Sequence, residues 1–238
     1  MASTTSDSNP AQAVPSDLKD RLKASYDAIA PEYNEWTVRH HAQRLQYLEK
    51  ILAPLLDSNP SGQLRVLELG CGSGVPVTEK LLSYANVHVT ANDISTAQIE
   101  LARAHLLGSA EANASERLDL VEGDMTKLEF PDGSLDAVVA FYSIIHLPRE
   151  EQTEMIGKIA RWLKPGGYFL ANFSQGEAES VVMDKWLGEK GWAFWSGWGK
   201  EATLKIVEEA GLHVELGEVS GHDTKELFLW VIAKRADH

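Results

Sequence analysis

Three glycines alternate in Leu69-Gly70-Cys71-Gly72-Ser73-Gly74, directly after the apolar run Leu64 to Leu69, and an acid, Asp93, follows 23 residues after Gly70. A strand that runs into a glycine loop presses bare backbone against a nucleotide-like ligand, because glycine takes tight turns and has no Cβ to hold the ligand off. A carboxylate just after the second strand accepts hydrogen bonds from ribose hydroxyls. Val75 stands where a dinucleotide fingerprint requires its third glycine, and the Gly-Lys-Ser/Thr of a phosphate loop is missing. The pattern suits a nucleoside-containing ligand without a pyrophosphate. The plainer reading of Asp93 is a cap for the next turn.

A second group of reactive side chains follows the apolar run Leu135 to Tyr142, in Phe141-Tyr142-Ser143-Ile144-Ile145-His146-Leu147-Pro148-Arg149. Open sheets place their chemistry at the carboxyl ends of strands, so His146 is the first candidate for a general base and Tyr142 the second. An imidazole with an ordinary pKa of about 6.5 can take a proton from a phenol, a carboxylic acid or an amine. No histidine, cysteine and aspartate cluster has metal-ligand spacing, and Cys71 reads as a small packed residue. Trp186, Trp192, Trp195 and Trp198 lie among glycines and read either as a pocket wall for an apolar acceptor, with Trp195 and Trp198 facing it, or as a small core or dimer contact.

Leu67-Glu68-Leu69-Gly70-Cys71-Gly72-Ser73-Gly74 resembles the first motif of class I S-adenosylmethionine-dependent methyltransferases, small-molecule type. The resemblance continues through Asp93, Glu122-Gly123-Asp124-Met125, Phe130-Pro131-Asp132-Gly133-Ser134-Leu135-Asp136 and Leu163-Lys164-Pro165-Gly166-Gly167, over about residues 20 to 173. It implies an α/β, Rossmann-like three-layer sandwich on a seven-stranded, mostly parallel sheet ordered 3-2-1-4-5-7-6, with strand 7 antiparallel. It implies S-adenosylmethionine as cofactor and S-adenosylhomocysteine as product. Glu68, Gly70, Gly72 and Gly74 would surround the methionyl group, Asp93 the ribose, Asp124 the adenine amino group and Met125 the adenine face, with Phe141 also on the cofactor side. Tyr26-Asp27-x-Ile29-Ala30-x-x-Tyr33 resembles an N-terminal lid, in which Tyr26 or Tyr33 closes on the cofactor or anchors the helix. Trp36 and His40 or His41 would face the same substrate chamber.

Elements to position these groups are legible in the periodicity. Apolar residues at helical spacing predict helices over Asp17 to Ala30, Val38 to Leu56, Val75 to Leu82, Ser95 to Leu107, Glu150 to Leu163 and Glu201 to Ala210. Strands are expected at Leu64 to Leu69, Val87 to Ala91, Leu118 to Val121, Leu135 to Tyr142 and Tyr168 to Phe173, with a closing pair at Leu212 to Val219 and Glu226 to Ala233. The stretch after Phe173 reads as irregular, a tryptophan-rich insertion over 175–200. Residues 1–15 read as a disordered tail, and 16–238 as one domain whose first part, 16–57, is a helical lid.

The net charge of −13 disfavours a polyanionic partner, and no Asn-Pro-Pro-Tyr-like motif follows the fourth strand, so nucleic acid is not the expected substrate. A small molecule is, with methylation at oxygen as the first expectation. Met1 to Pro15 carries no apolar core, so neither a secretory signal nor a membrane span is expected there, and one cysteine, which permits no internal disulfide, suits a cytoplasmic setting; a monomer or homodimer is expected. The competing classes are a nicotinamide-dependent oxidoreductase, weakened by Val75, and a non-catalytic cofactor-binding partner.

Overall fold

A computed structural model describes residues 13–59, 62–108, 115–221 and 226–236. The expected tail therefore lies, for residues 1–12, outside the described residues. The main sheet is built from β1 (Leu64–Leu69), β2 (Val87–Asp93), β3 (Leu118–Glu122), β4 (Leu135–Ala140) and β5 (Leu163–Ser174), then, beyond a hairpin of β6 (Glu177–Asp184) and β7 (Trp192–Trp198), from β8 (Leu212–Gly221) and β9 (Leu227–Arg235). Its order is β3-β2-β1-β4-β5-β9-β8. β9 runs antiparallel to β5 and β8, and the pairings among β1 to β5 are parallel. With β8 and β9 as sixth and seventh strands, this is the order implied by the sequence motifs.

Every residue of β4 is buried because the sheet is covered on both faces. Alternate residues serve opposite layers: Val66 and Val139 pack with Leu48, Ile51 and Leu52 of α3 (His41–Ser58), while Leu67 and Val138 pack with Ile156, Ile159 and Trp162 of α6 (Arg149–Trp162). This period of two points the strand ends, rather than the strand faces, toward any ligand. The other helices are α1 (Leu18–Ala28), α2 (Ala30–Thr37), α4 (Val77–Leu82), α5 (Thr96–Leu107) and α7 (Lys200–Glu209).

Four local expectations change. The segment after Phe173 is a two-stranded antiparallel sheet, β6 with β7, and not irregular. Its glycines hide an alternation that the packing makes plain: Trp192 and Phe194 are buried against Leu18 and Leu22 of α1, whereas β6 turns mostly to solvent. α2, missed in the periodicity, starts with Pro31 in its first turn, where the ring's fixed φ costs no hydrogen bond. α4 starts at Val77, after Pro76, rather than at Val75. β4 ends at Ala140 because Tyr142 leaves the extended region for φ 54°.

Candidate active site

The carboxyl ends of β1, β2 and β4 meet under α1. Gly70, Gly72 and Gly74 have φ of 72°, 56° and 78°, the left-handed region that favours glycine. Their surroundings separate their duties. A Cβ on Gly70 would lie 2.4 Å from Ser143 Cβ, and one on Gly74 2.6 Å from Leu106 Cδ1, so these two let neighbouring elements close in. A Cβ on Gly72 would meet nothing nearer than Gln98 Oε1 at 3.8 Å, so this glycine leaves open space above the loop.

That space is a chamber of about 70 Å³ lined by Gly70, Gly72, Asp93, Asp124, Met125 and the roof residues Lys19, Leu22, Tyr26 and Tyr33. Asp93 holds the loop: its Oδ2 accepts from the Gly72 N–H at 2.9 Å and its Oδ1 from the Ser95 N–H at 2.9 Å. Burial raises its pKa, and the two backbone donors oppose that rise. A carboxylate retains further lone pairs after two such bonds, so capping and ligand binding are compatible. Asp124 Oδ1 accepts from the Thr126 N–H at 2.9 Å and lies 3.8 Å from Lys19 Nζ.

Sequence reasoning passed over three polar residues of this chamber. Asn92 Oδ1, Ser143 Oγ and both amide atoms of Gln98 are buried without a protein partner. Gln98 follows Ser95, whose Oγ accepts from the Gln98 N–H at 3.1 Å, so the capping spacing was a signal for it. Buried polar atoms are nearly always paired, so a polar ligand or water in the chamber would complete this set.

A second chamber, about 240 Å³, adjoins the first and is bordered by Trp36, Ile145, Met183, Trp186, Trp195, Glu226 and Phe228. Tyr26, Tyr33, Tyr142 and His146 line both chambers. His146 is fixed from two sides. Its Nδ1 lies 2.7 Å from the Phe194 carbonyl, which can only accept, so Nδ1 carries the proton; its Nε2, 2.9 Å from Tyr26 Oη, then accepts the phenolic hydrogen. Burial pushes the imidazole down to about 4, against the Phe194 carbonyl, which favours the cation. Burial also drives both phenols up, well above the ordinary tyrosine value at Tyr26 and above it at Tyr142. Tyr142 Oη has no protein partner, and its N–H donates to Asn172 Oδ1 at 2.6 Å, which holds the left-handed turn.

Several residues singled out in the sequence lie elsewhere. Glu68 sits beneath the loop, where its Oε2 accepts from Thr78 Oγ1 at 2.5 Å, and burial pushes its carboxyl up to about 8. Gly74 packs on Leu106, and Phe141 points into the core 5.4 Å from the Trp230 ring. Neither borders a chamber, because successive residues of a strand and its exit face opposite ways. His40 forms a layer behind the wall, with ring centroids 5.0 Å from Trp36 and 5.2 Å from Tyr142. His41 borders neither chamber, and burial with the nearby Arg44 lowers its pKa. Trp198 is drawn away by Arg149, donating Nε1–H to its carbonyl at 3.0 Å, and Trp192 joins the α1 core. Trp186 takes the wall position instead.

The roof is tied down by charge. Asp27 Oδ1 accepts from Ser95 Oγ at 2.6 Å and from the Ala97 N–H at 3.0 Å, and Lys23 Nζ reaches the Ile94 carbonyl at 3.2 Å and Glu122 at 2.8 Å. These bonds join α1 to the start of α5, directly over Asp93.

A sheet of this order, with a glycine loop and a buried acid at its switch point, is an α/β architecture that binds nucleoside-containing ligands at its strand ends. A methyltransferase-domain family matches residues 66–167, from β1 to the start of β5. The chain is 39% identical over 106 residues to the sterol 24-C-methyltransferase ERG6B of Gibberella zeae, covering 44% of this chain and 26% of that protein. It thus spans about a quarter of the length of that relative. The demethylmenaquinone methyltransferase of Leptospira interrogans is 29% identical over 175 residues, 71% of this chain and 65% of that one. Among solved structures, magnesium protoporphyrin IX methyltransferase from Synechocystis PCC 6803 with bound S-adenosylmethionine superposes with a TM-score of 0.67 at 16% identity, covering 96% of this chain and all of that one. The cofactor is S-adenosylmethionine, and Asn92, Gln98 and Ser143 in the first chamber offer buried donors and acceptors that no other protein group takes up.

Proposed function

We propose that this protein transfers the methyl group of S-adenosylmethionine to a hydroxyl oxygen of a small organic molecule. The observation that carries the reading is the junction of two chambers, one over the glycine loop with Asp93 and Asp124 in its lining and one walled by aromatic rings, at Tyr26, Tyr33, Tyr142 and His146. The relatives, by name, act on a sterol, a quinone precursor and a porphyrin, all small organic molecules.

In this reading Asp93 receives the ribose hydroxyls and Asp124 the adenine amino group. Met125 lies on the adenine face, while Gly70 and Gly72 with Asn92, Gln98 and Ser143 take the amino-acid end. The cofactor brings a methyl group already activated on a sulfonium, so the protein needs chiefly to align the acceptor and exclude water. The aromatic wall and the roof do both. His146 is neutral throughout the ordinary pH range, and Tyr26 Oη takes the acceptor's proton as its own phenolic hydrogen passes to His146 Nε2.

The test is to incubate the purified protein with methyl-labelled S-adenosylmethionine and fractionated extract of its source organism and to identify the labelled product. An oxygen-linked label supports the reading; label at nitrogen, carbon or sulfur replaces the acceptor atom. Cofactor binding without any labelled product favours the non-catalytic partner.

A further inference from the structure

We propose that the acceptor is an organic cation, a hydroxylated molecule that also carries a quaternary ammonium or N-alkylated ring nitrogen bound among the tryptophans. The proposal rests on the methyl-transfer reading only for the role of the second chamber; the preference for a cation comes from the chamber's own chemistry.

The wall is made of rings set at steep angles. Trp186 stands at 70° to Tyr26, 75° to Trp36 and 89° to Trp195, with centroids 5.7 to 5.8 Å apart. Trp186 thus rests edge-to-face on its neighbours, and with Tyr33, Tyr142 and Phe228 these rings make the chamber's lining aromatic, a lining that attracts cations through the negative face of the ring quadrupole.

Charge selects in the same direction. Glu226 is the one carboxylate among the described residues that line this chamber, and neither lysine nor arginine lines it. His40 Nε2 lies 3.4 Å from Glu226 Oε2, which keeps the carboxylate at the chamber's edge. The nearby guanidinium groups stand behind the wall: Arg39 is 4.8 Å from the Trp36 centroid and Arg44 4.8 Å from the Tyr142 centroid, and neither borders the cavity. They show that these rings accept cations. Among the described residues Tyr33, Trp186, Trp195 and Phe228 carry no such side-chain cation. A net charge of −13 adds long-range attraction for a cationic ligand.

The test compares two phenols of equal shape, (4-hydroxybenzyl)trimethylammonium and 4-(2,2-dimethylpropyl)phenol, which differ in one nitrogen for carbon. Each is titrated calorimetrically into the full-length protein, with and without S-adenosylhomocysteine, for wild type, Glu226→Gln and Trp186→Leu. We expect the cation to bind about tenfold tighter, the order of one good cation–π contact in a desolvated site. That preference should shrink severalfold in both variants. Equal affinities, tighter binding of the neutral phenol, no binding of the cation, or an undiminished preference in both variants overturns the proposal. Failure of S-adenosylhomocysteine to bind would instead overturn the methyl-transfer reading, with the cation preference still read from the titrations without it.

Discussion

His146 combines an imidazole of unusually low pKa with a bond to each ring nitrogen. If the Tyr26 and His146 pair takes the acceptor's proton, His146→Ala should lower turnover by about 10² to 10⁴ with cofactor affinity nearly intact. The acidic limb of the wild-type rate profile should rise with pH around 4, where the imidazole becomes neutral, rather than near 6.5. Steady-state rates from pH 3.5 to 8 check both; a limb centred at 6.5 would show an imidazole exposed to water. At the other chamber, Asp93→Ala removes an acceptor that also anchors the loop, and Gly72→Val places a branched side chain in the open space over it. Each should weaken S-adenosylmethionine binding about tenfold or more, measured by calorimetry on variants whose circular dichroism matches wild type. Unaltered affinity in both would place the cofactor elsewhere.

Helix α1 is the element on which access depends. It is half anchored by apolar contact, Leu18 and Leu22 with Trp192 and Phe194 of β7, and half by the charged bonds of Lys23 and Asp27 to the start of α5. The first chamber lies beneath it, lined from α1 by Lys19, Leu22 and Tyr26, so lifting the roof widens the way in for a nucleoside. Asp27→Ala leaves the apolar anchor and removes two hydrogen bonds to a charged oxygen. Cofactor release, followed by stopped-flow tryptophan fluorescence, should quicken about tenfold, the effect of about 1.4 kcal/mol, with little change in melting temperature. An unchanged release rate would move the gate to the β6 and β7 hairpin.

The whole molecule reports on ligand and pH through its stability. A ligand that binds only the folded chain stabilises it by about 2.7 kcal/mol at a hundred times its Kd, so S-adenosylmethionine should raise the melting temperature and NAD should not. A larger rise with NAD would restore the oxidoreductase reading that Val75 weakens. Glu68 adds a pH term of the opposite sense to His146. Its folded pKa of about 8 lies above the ordinary glutamate value, so the protonated form is favoured on folding and stability is lost as pH rises from about 4.5 to about 8. His146, lowered, costs stability as pH falls from about 6.5 toward 4. Glu68→Gln keeps an acceptor for Thr78 without a charge to desolvate, so it should raise the melting temperature at pH 8 by several degrees and hardly at pH 5. Scanning calorimetry at the two pH values checks it, and equal shifts would show that Glu68 is ionised in the fold.

Among the described residues no helix is long and apolar enough to cross a membrane. What the sequence determined by itself is what depends on residues close along the chain. The glycine loop, the acid after β2, Asp124 with Met125 after β3 and the periodicity of most strands were legible, because backbone conformation and strand identity are set locally. The order of the sheet came from the family resemblance carried by those same motifs. The tertiary structure alone decided which way each side chain faces. Phe141 and Tyr142 are neighbours, yet one enters the core and the other the junction, because the backbone turns to φ 54° between strand and loop. Trp186 and Trp198 belong to one tryptophan-rich segment, yet the turn of the β6 and β7 hairpin brings the first to the wall, while a hydrogen bond to Arg149 takes the second away. Gln98, Phe228 and Glu226 have no shared motif, since they come to the chambers from α5 and from the neighbourhood of β9, distant in the chain. A cavity is defined by several elements at once, and its lining is fixed by packing rather than by the order of residues.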